Sequence, residues 1–158
     1  MIPSEIDIAS LSAEVNEDGV ATTDPALDSA IQKVLGDASE SGVTNVGVVV
    51  LDTAPRIRAD TRDIATAVAE ETGKTIVIRT PGGAGTHSME YSRAELEVAQ
   101  SRMLKHPDYV TGFETYVKNL EAHSNVPWNA LNVGALVLVA AIIAVCAAAI
   151  RRQAHKVR

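Results

Sequence analysis

Apolar positions recur along this chain with two periods, and the period changes wherever glycine, proline or a capping residue intervenes. In residues 7–19, DIASLSAEVNEDG, Ile8, Leu11 and Val15 share one helical face and Gly19 supplies a stop, which predicts a short helix. Residues 23–42, TDPALDSAIQKVLGDASESG, predict a longer one. Asp24 is placed to cap, Pro25 suits the first helical position, Leu27, Ile31, Val34 and Leu35 form the stripe, and Gly42 ends it. The period then disappears: TNVGVVVLDT is a nearly continuous β-branched run, as expected of a strand buried on both faces. RADTRDIATAVAEETG follows as a helix with Ile64, Ala65 and Val68 inward and Gly73 at its end, and KTIVIRT as a second strand. A strand, a helix and a strand in this order predict a βαβ unit with a right-handed crossover and a parallel pair.

Beyond it, RTPGGAGTHS places glycines after an apolar strand, where backbone amides can approach an anion. THSMEYS alternates, with His87, Met89 and Tyr91 on one face, so residues 81–85 are read as the turn joining two antiparallel strands. Ser92 and Glu95 have capping-box spacing ahead of Leu96, Ala99, Met103 and Leu104. After Pro107 a last helix carries Tyr109, Phe113, Val117 and Leu120. The resulting fold class is α/β: a small βαβ-containing sheet of two parallel strands and one antiparallel hairpin strand, packed with helices.

From Trp128 to Ile150 the pattern changes again, because WNALNVGALVLVAAIIAVCAAAI is 23 residues without a charge. As a helix it would extend ~35 Å at ~1.5 Å per residue, enough for hydrocarbon about 30 Å thick. One C-terminal transmembrane helix is expected there, entered from Pro127 with Trp128 at the interface and followed by RRQAHKVR, in which Arg151 and Arg152 mark the far boundary. The expected organisation is an acidic domain over 1–124, a hinge at 125–127, the span over 128–150 and a basic tail over 151–158. Ala140, Ala144 and Ala148 repeat at helical spacing, so a homo-oligomer or a partner helix is a candidate occupant of that stripe.

Charge sharpens the division. All 20 acidic residues lie between Glu5 and Glu121 with 10 of the 14 Lys and Arg, so the first 127 residues carry −10 and the remainder +4. No basic run exists in the acidic part, which argues against nucleic acid as a partner. Positive residues concentrate behind the span, which places the tail in the cytoplasm and the domain outside the cell membrane. The start, MIPSEIDIASLSAEVNEDG, has neither a basic n-region nor an apolar h-region, and this favours the alternative, a tail-anchored protein with a cytoplasmic domain. Cys146 is the only cysteine and lies in the span, so neither an intrachain disulfide nor a Cys-based zinc site is available.

Candidate chemistry is sparse. The glycines of 82–85 meet neither the dinucleotide fingerprint, since no helix opens directly behind them, nor a Walker loop, since Thr86 stands where lysine is needed. Asp52 ends a buried strand, the position where open α/β sheets bind ligands. VVVLDTAP is similar to phosphoacceptor strands, but Ala54 occupies the place of the second phosphatase aspartate. Asp52, Asp60 and Asp63 are the candidate ligands for Mg²⁺ or Ca²⁺, which prefer carboxylate oxygens; no other cofactor is expected. In the plainer reading Asp60 caps the helix that follows and Asp63 improves its dipole.

The succession of a helix, VTNVGVVVLD, a helix ending in EETGKTIVI, and a carboxy-terminal span resembles the TPM-domain superfamily, especially its small single-pass actinobacterial membrane proteins, with RDIATAVAEETGKTIVI the most specific stretch. The resemblance covers residues 5–158. It implies a compact α/β domain displayed at a membrane, usually extracytoplasmic, with roles in maintaining membrane complexes and, for some members, acid phosphatase activity. The actinobacterial members lie near genes for NlpC-type peptidoglycan endopeptidases. Taken together, the expected function is that of a membrane-anchored, non-enzymatic interaction or regulatory module of the cell envelope, partnered by another membrane or envelope protein. The alternative is a phosphate-ester hydrolase or metal-binding domain that uses Asp52.

Overall fold

The computed structural model describes residues 2–124, which belong to one compact unit ending at Ser124. The chain runs α1 (Ile8–Asp18), β1 (Val20–Ala21), α2 (Pro25–Glu40), β2 (Val46–Val50), α3 (Arg58–Thr72), β3 (Thr75–Thr80), β4 (Gly83–His87), α4 (Arg93–Met103) and α5 (Tyr109–Ser124). The four strands form one mixed sheet in the order β1-β2-β3-β4, with β1, β2 and β3 parallel and β4 antiparallel to β3.

Local chemistry sets the helix ends. Asp7 caps α1 by accepting from the Ser10 amide, and Gly19 closes it at φ 93°, a left-handed conformation that glycine adopts without steric cost. Asp24 accepts from the amides of Ala26 and Leu27, and Pro25 opens α2 as expected. The Ser92–Glu95 capping box of α4 is complete in both directions. Helix α3 runs between its expected limits and ends on Gly73. Ile57 occupies its cap position, so Asp60 stands in the first turn and is nearly buried.

Strand alternation sends side chains into two cores. On one face Val46, Val48, Val50 and Val77 meet α2, α4 and α5 through Ile31, Leu96, Phe113 and Tyr116. On the other, Val49, Ile76 and Ile78 meet α1 and α3 through Val15, Ile64, Ala65 and Val68. The result is a three-layer α/β/α sandwich. It explains why β2 and β3 are buried at every position, since both their faces are covered.

Two expectations need correction. The sheet has four strands rather than three, because Val20 and Ala21 pair in parallel with Val48 and Val49. Two residues are too few to show a period. The turn joining β3 and β4 is also shorter than residues 81–85: Gly83 already pairs with Thr80 and Gly85 with Ile78, so the glycines belong to the strand and Met89 and Tyr91 lie beyond it. Gly85 is there because α3 rests on it; a Cβ at this position would stand 2.6 Å from the carbonyl carbon and oxygen of Thr61. The connections have a further property: β1, β2 and β3 step across the sheet in one direction while α2 and α3 cover opposite faces. The two crossovers therefore have opposite hands, and one departs from the right-handed rule. A two-residue β1 supplies little of the strand twist that enforces that rule.

Candidate functional site

The residues singled out for chemistry do not converge. Asp52 follows β2 and is exposed, and its Oδ2 accepts a 2.8 Å hydrogen bond from the Thr23 hydroxyl, which ties the loop after β1 to the end of β2. Asp60 is buried in the first turn of α3, Asp63 is exposed one step further on, and both are engaged in interactions of their own. Among the described residues no three His, Cys, Asp or Glu side chains form a group suited to a metal ion, so Asp52, Asp60 and Asp63 do not assemble into a Mg²⁺ or Ca²⁺ trio. His87 closes β4, with Nδ1 3.2 Å from the Thr66 hydroxyl of α3. Trp128, Arg151, Arg152 and the stripe of Ala140, Ala144 and Ala148 lie outside the described residues, as do the hinge, the span and the tail. Among the described residues no helix is long and apolar enough to cross a membrane.

What the structure does build is a cleft of about 970 Å³ at the free edge of the sheet. Its floor is β4. One wall carries Thr61 and Arg62 of α3, and the other Arg93, Leu96, Glu97 and Gln100 of α4. The two helices approach β4 from opposite faces: Gly85 and His87 turn toward α3, while Thr86 turns toward α4 and donates to the Gln100 side chain at 3.3 Å. Small residues at Gly83, Ala84 and Gly85 leave the edge between these walls open.

The electrostatics of the cleft oppose those of the domain around it. Three arginines, Arg62, Arg79 and Arg93, line it against one carboxylate, Glu97. A 2.6 Å contact with Arg93 holds the Glu97 carboxyl below the ordinary glutamate range, and the charge of Arg62 on the opposite wall adds to the effect. Tyr91, at one end, keeps its phenol protonated, because burial and the neighbouring Glu90 and Glu95 all raise its pKa.

Arg79 is the residue that sequence reasoning missed. It pairs with Val50 on one side and Ala84 on the other, directly after the apolar run Ile76–Ile78, and is only 4% exposed. Its Nη atoms donate to the carbonyls of Met103 (3.1 Å) and His106 (2.6 Å) at and just beyond the end of α4, and its guanidinium carbon lies 4.5 Å from the centroid of the Tyr109 ring. Desolvation pushes its pKa below the usual arginine value, and Tyr109 and Asp108 partly restore it. Gly112 makes room for the group, since a Cβ there would lie 2.5 Å from Nη1. A lone cation in the run TIVIRT was the available signal, because a charge in a doubly covered strand needs acceptors waiting for it.

Fold and cleft together define a small three-layer α/β domain with one open sheet edge. The family model described as "Membrane protein Rv1476" matches residues 1–158. A relative of the same description from Mycobacterium tuberculosis is 30% identical over 141 residues, covering 89% of this chain and 74% of that protein. The chain belongs to the Rv1476 membrane protein family, and the actinobacterial character expected from the sequence agrees with this kinship. No solved structure matches the chain significantly.

Proposed function

We propose that this protein is a single-pass, membrane-anchored interaction or regulatory module of the cell envelope, TPM-like in its soluble part and without catalytic activity of its own. The observation that carries the reading is the uncharged run from Trp128 to Ile150 closed by Arg151 and Arg152, joined to an acidic α/β domain. Membership of a family of membrane proteins supports the anchor. The cleft along β4 supports an interaction role, because it offers a shaped, charged surface on a rigid frame. In this reading the basic tail lies in the cytoplasm and the domain faces outward, within reach of cell-wall enzymes as partners. The stripe of Ala140, Ala144 and Ala148 offers a route to self-association in the bilayer.

The test is fractionation of cells expressing the full chain, followed by crosslinking in intact membranes. Sedimentation with membranes, release on removing residues 128–150, and a crosslinked partner are expected. Recovery of the full chain in a detergent-free supernatant would refute the anchor. Reporter fusions at residues 2 and 158 read the orientation.

A further inference from the structure

The two edges of the sheet are treated differently. At one, β1 is two residues long and both are buried, so little backbone is left for another strand to pair with. At the other, β4 runs five residues, at ~3.4 Å each, about 17 Å of strand. Natural edges are usually blunted by lysine, proline, a bulge or an inward charge. GAGTH contains no lysine or proline, its register with β3 is continuous from Gly83 to His87, and α3 and α4 wall the approach without occupying it. A strand seated there would alternate its side chains between the two walls, one presenting Arg62 and the other Arg93.

We propose that β4 is a docking edge for an extended, acidic segment of a partner protein, which adds a fifth strand to the sheet and directs its carboxylates to Arg62 and Arg93. The main chain of the segment pairs with the outward-facing amides and carbonyls of β4, and the walls read alternate side chains, as in other cases of strand addition. Charge supplies the selectivity: the domain is strongly acidic and repels an acidic chain elsewhere, while this cleft, where the exposed Arg62 and Arg93 stand against one glutamate, attracts it. The inference deepens the interaction reading above and rests on it.

The probe is the peptide acetyl-Val-Thr-Glu-Asp-Val-Thr-amide, whose adjacent carboxylates face opposite walls, titrated into the full chain in mild detergent, with amide hydrogen exchange as readout. Binding is expected to slow exchange in residues 83–87. Two further peptides carry N-methyl groups on alternate sets of amides. Only the set facing β4 is expected to weaken binding, by about tenfold or more, since each lost ladder bond contributes a few-fold to affinity. A chain with Arg62→Glu and Arg93→Glu, both exposed positions, is expected to bind about tenfold more weakly with unchanged circular dichroism. Absence of saturation at about 1 mM peptide, equal binding of all three peptides, or protection outside β4 would each overturn the proposal. If the chain sediments with membranes and crosslinks a partner while the peptide fails, only strand addition is refuted. If it stays in the supernatant, the anchor is refuted whatever the peptide does.

Discussion

Gly85→Ala tests the packing argument at its tightest point. The added methyl would sit 2.6 Å from both the carbonyl carbon and oxygen of Thr61 and 2.8 Å from the Arg62 amide nitrogen, roughly an ångström inside ordinary contact at each. These are backbone atoms in the first two turns of α3, and β4 is held to β3 along five paired positions, so neither side can yield by rotating a side chain. Overpacking of this kind costs about 1–3 kcal/mol, and the upper part of that range applies where only backbone can move. Replacing a strand glycine by alanine returns about 0.5–1 kcal/mol by restricting the unfolded chain. The expected net loss is about 2 kcal/mol. Gly36→Ala, on the exposed side of α2, is the control: its methyl meets nothing within 4 Å. The net change there should stay below about 1 kcal/mol. Urea unfolding of the full chain in detergent, followed by far-UV circular dichroism at constant m-value, measures both. Equal losses for the two variants, or a Gly85→Ala chain as stable as the parent, would refute the claim that β4 is glycine-rich because α3 lies against it.

Two other substitutions probe the buried polar groups. Arg79→Met removes two charge-assisted bonds to the end of α4, leaving the Met103 carbonyl with only its bond from the His106 amide and the His106 carbonyl without its guanidinium donor, offset in part by the desolvation no longer incurred; a loss of about 2–3 kcal/mol is expected, read by the same urea titration together with faster exchange in the last turn of α4. Tyr116→Phe should be neutral or stabilising by up to about 1 kcal/mol at pH 7, because among the described residues the fully buried hydroxyl has no hydrogen-bond partner. The same variant has a pH signature. Burial, helped by Tyr91, raises the folded pKa of this phenol far above its ordinary value of 10.0, so the unfolded chain loses its proton first and stability falls as pH rises past that value. Thermal melts should show this alkaline loss reduced in Tyr116→Phe.

Much of the architecture was legible before any coordinates. Helices α2 and α4 announce themselves through Asp24, Ser92 and the apolar residues that follow, and α1 through Ile8, Leu11, Val15 and Gly19, because capping is a local contact and the helical period is set by backbone geometry alone. The parallel pairing of β2 with β3 follows from two covered strands separated by one helix. The candidate site was less accessible. Asp52, Asp60 and Asp63 are close in sequence, but a strand end and a helix turn carry them apart, and Asp52 finds Thr23 from a different loop. Proximity in sequence constrains distance only within one element.

The chain by itself therefore determined its helices, its two central strands, the acidic character of its first 127 residues and the uncharged run that follows, all properties of short segments or of composition. Tertiary structure decided that Val20 and Ala21 join the sheet, that the glycines after Pro81 form an edge strand beneath α3, that Arg79 reaches the end of α4, and that three arginines gather in one cleft of an acidic domain. Each of these depends on groups brought together from distant parts of the chain, where local preference is silent and the outcome is set by which faces must be covered and which buried polar atoms must be paired.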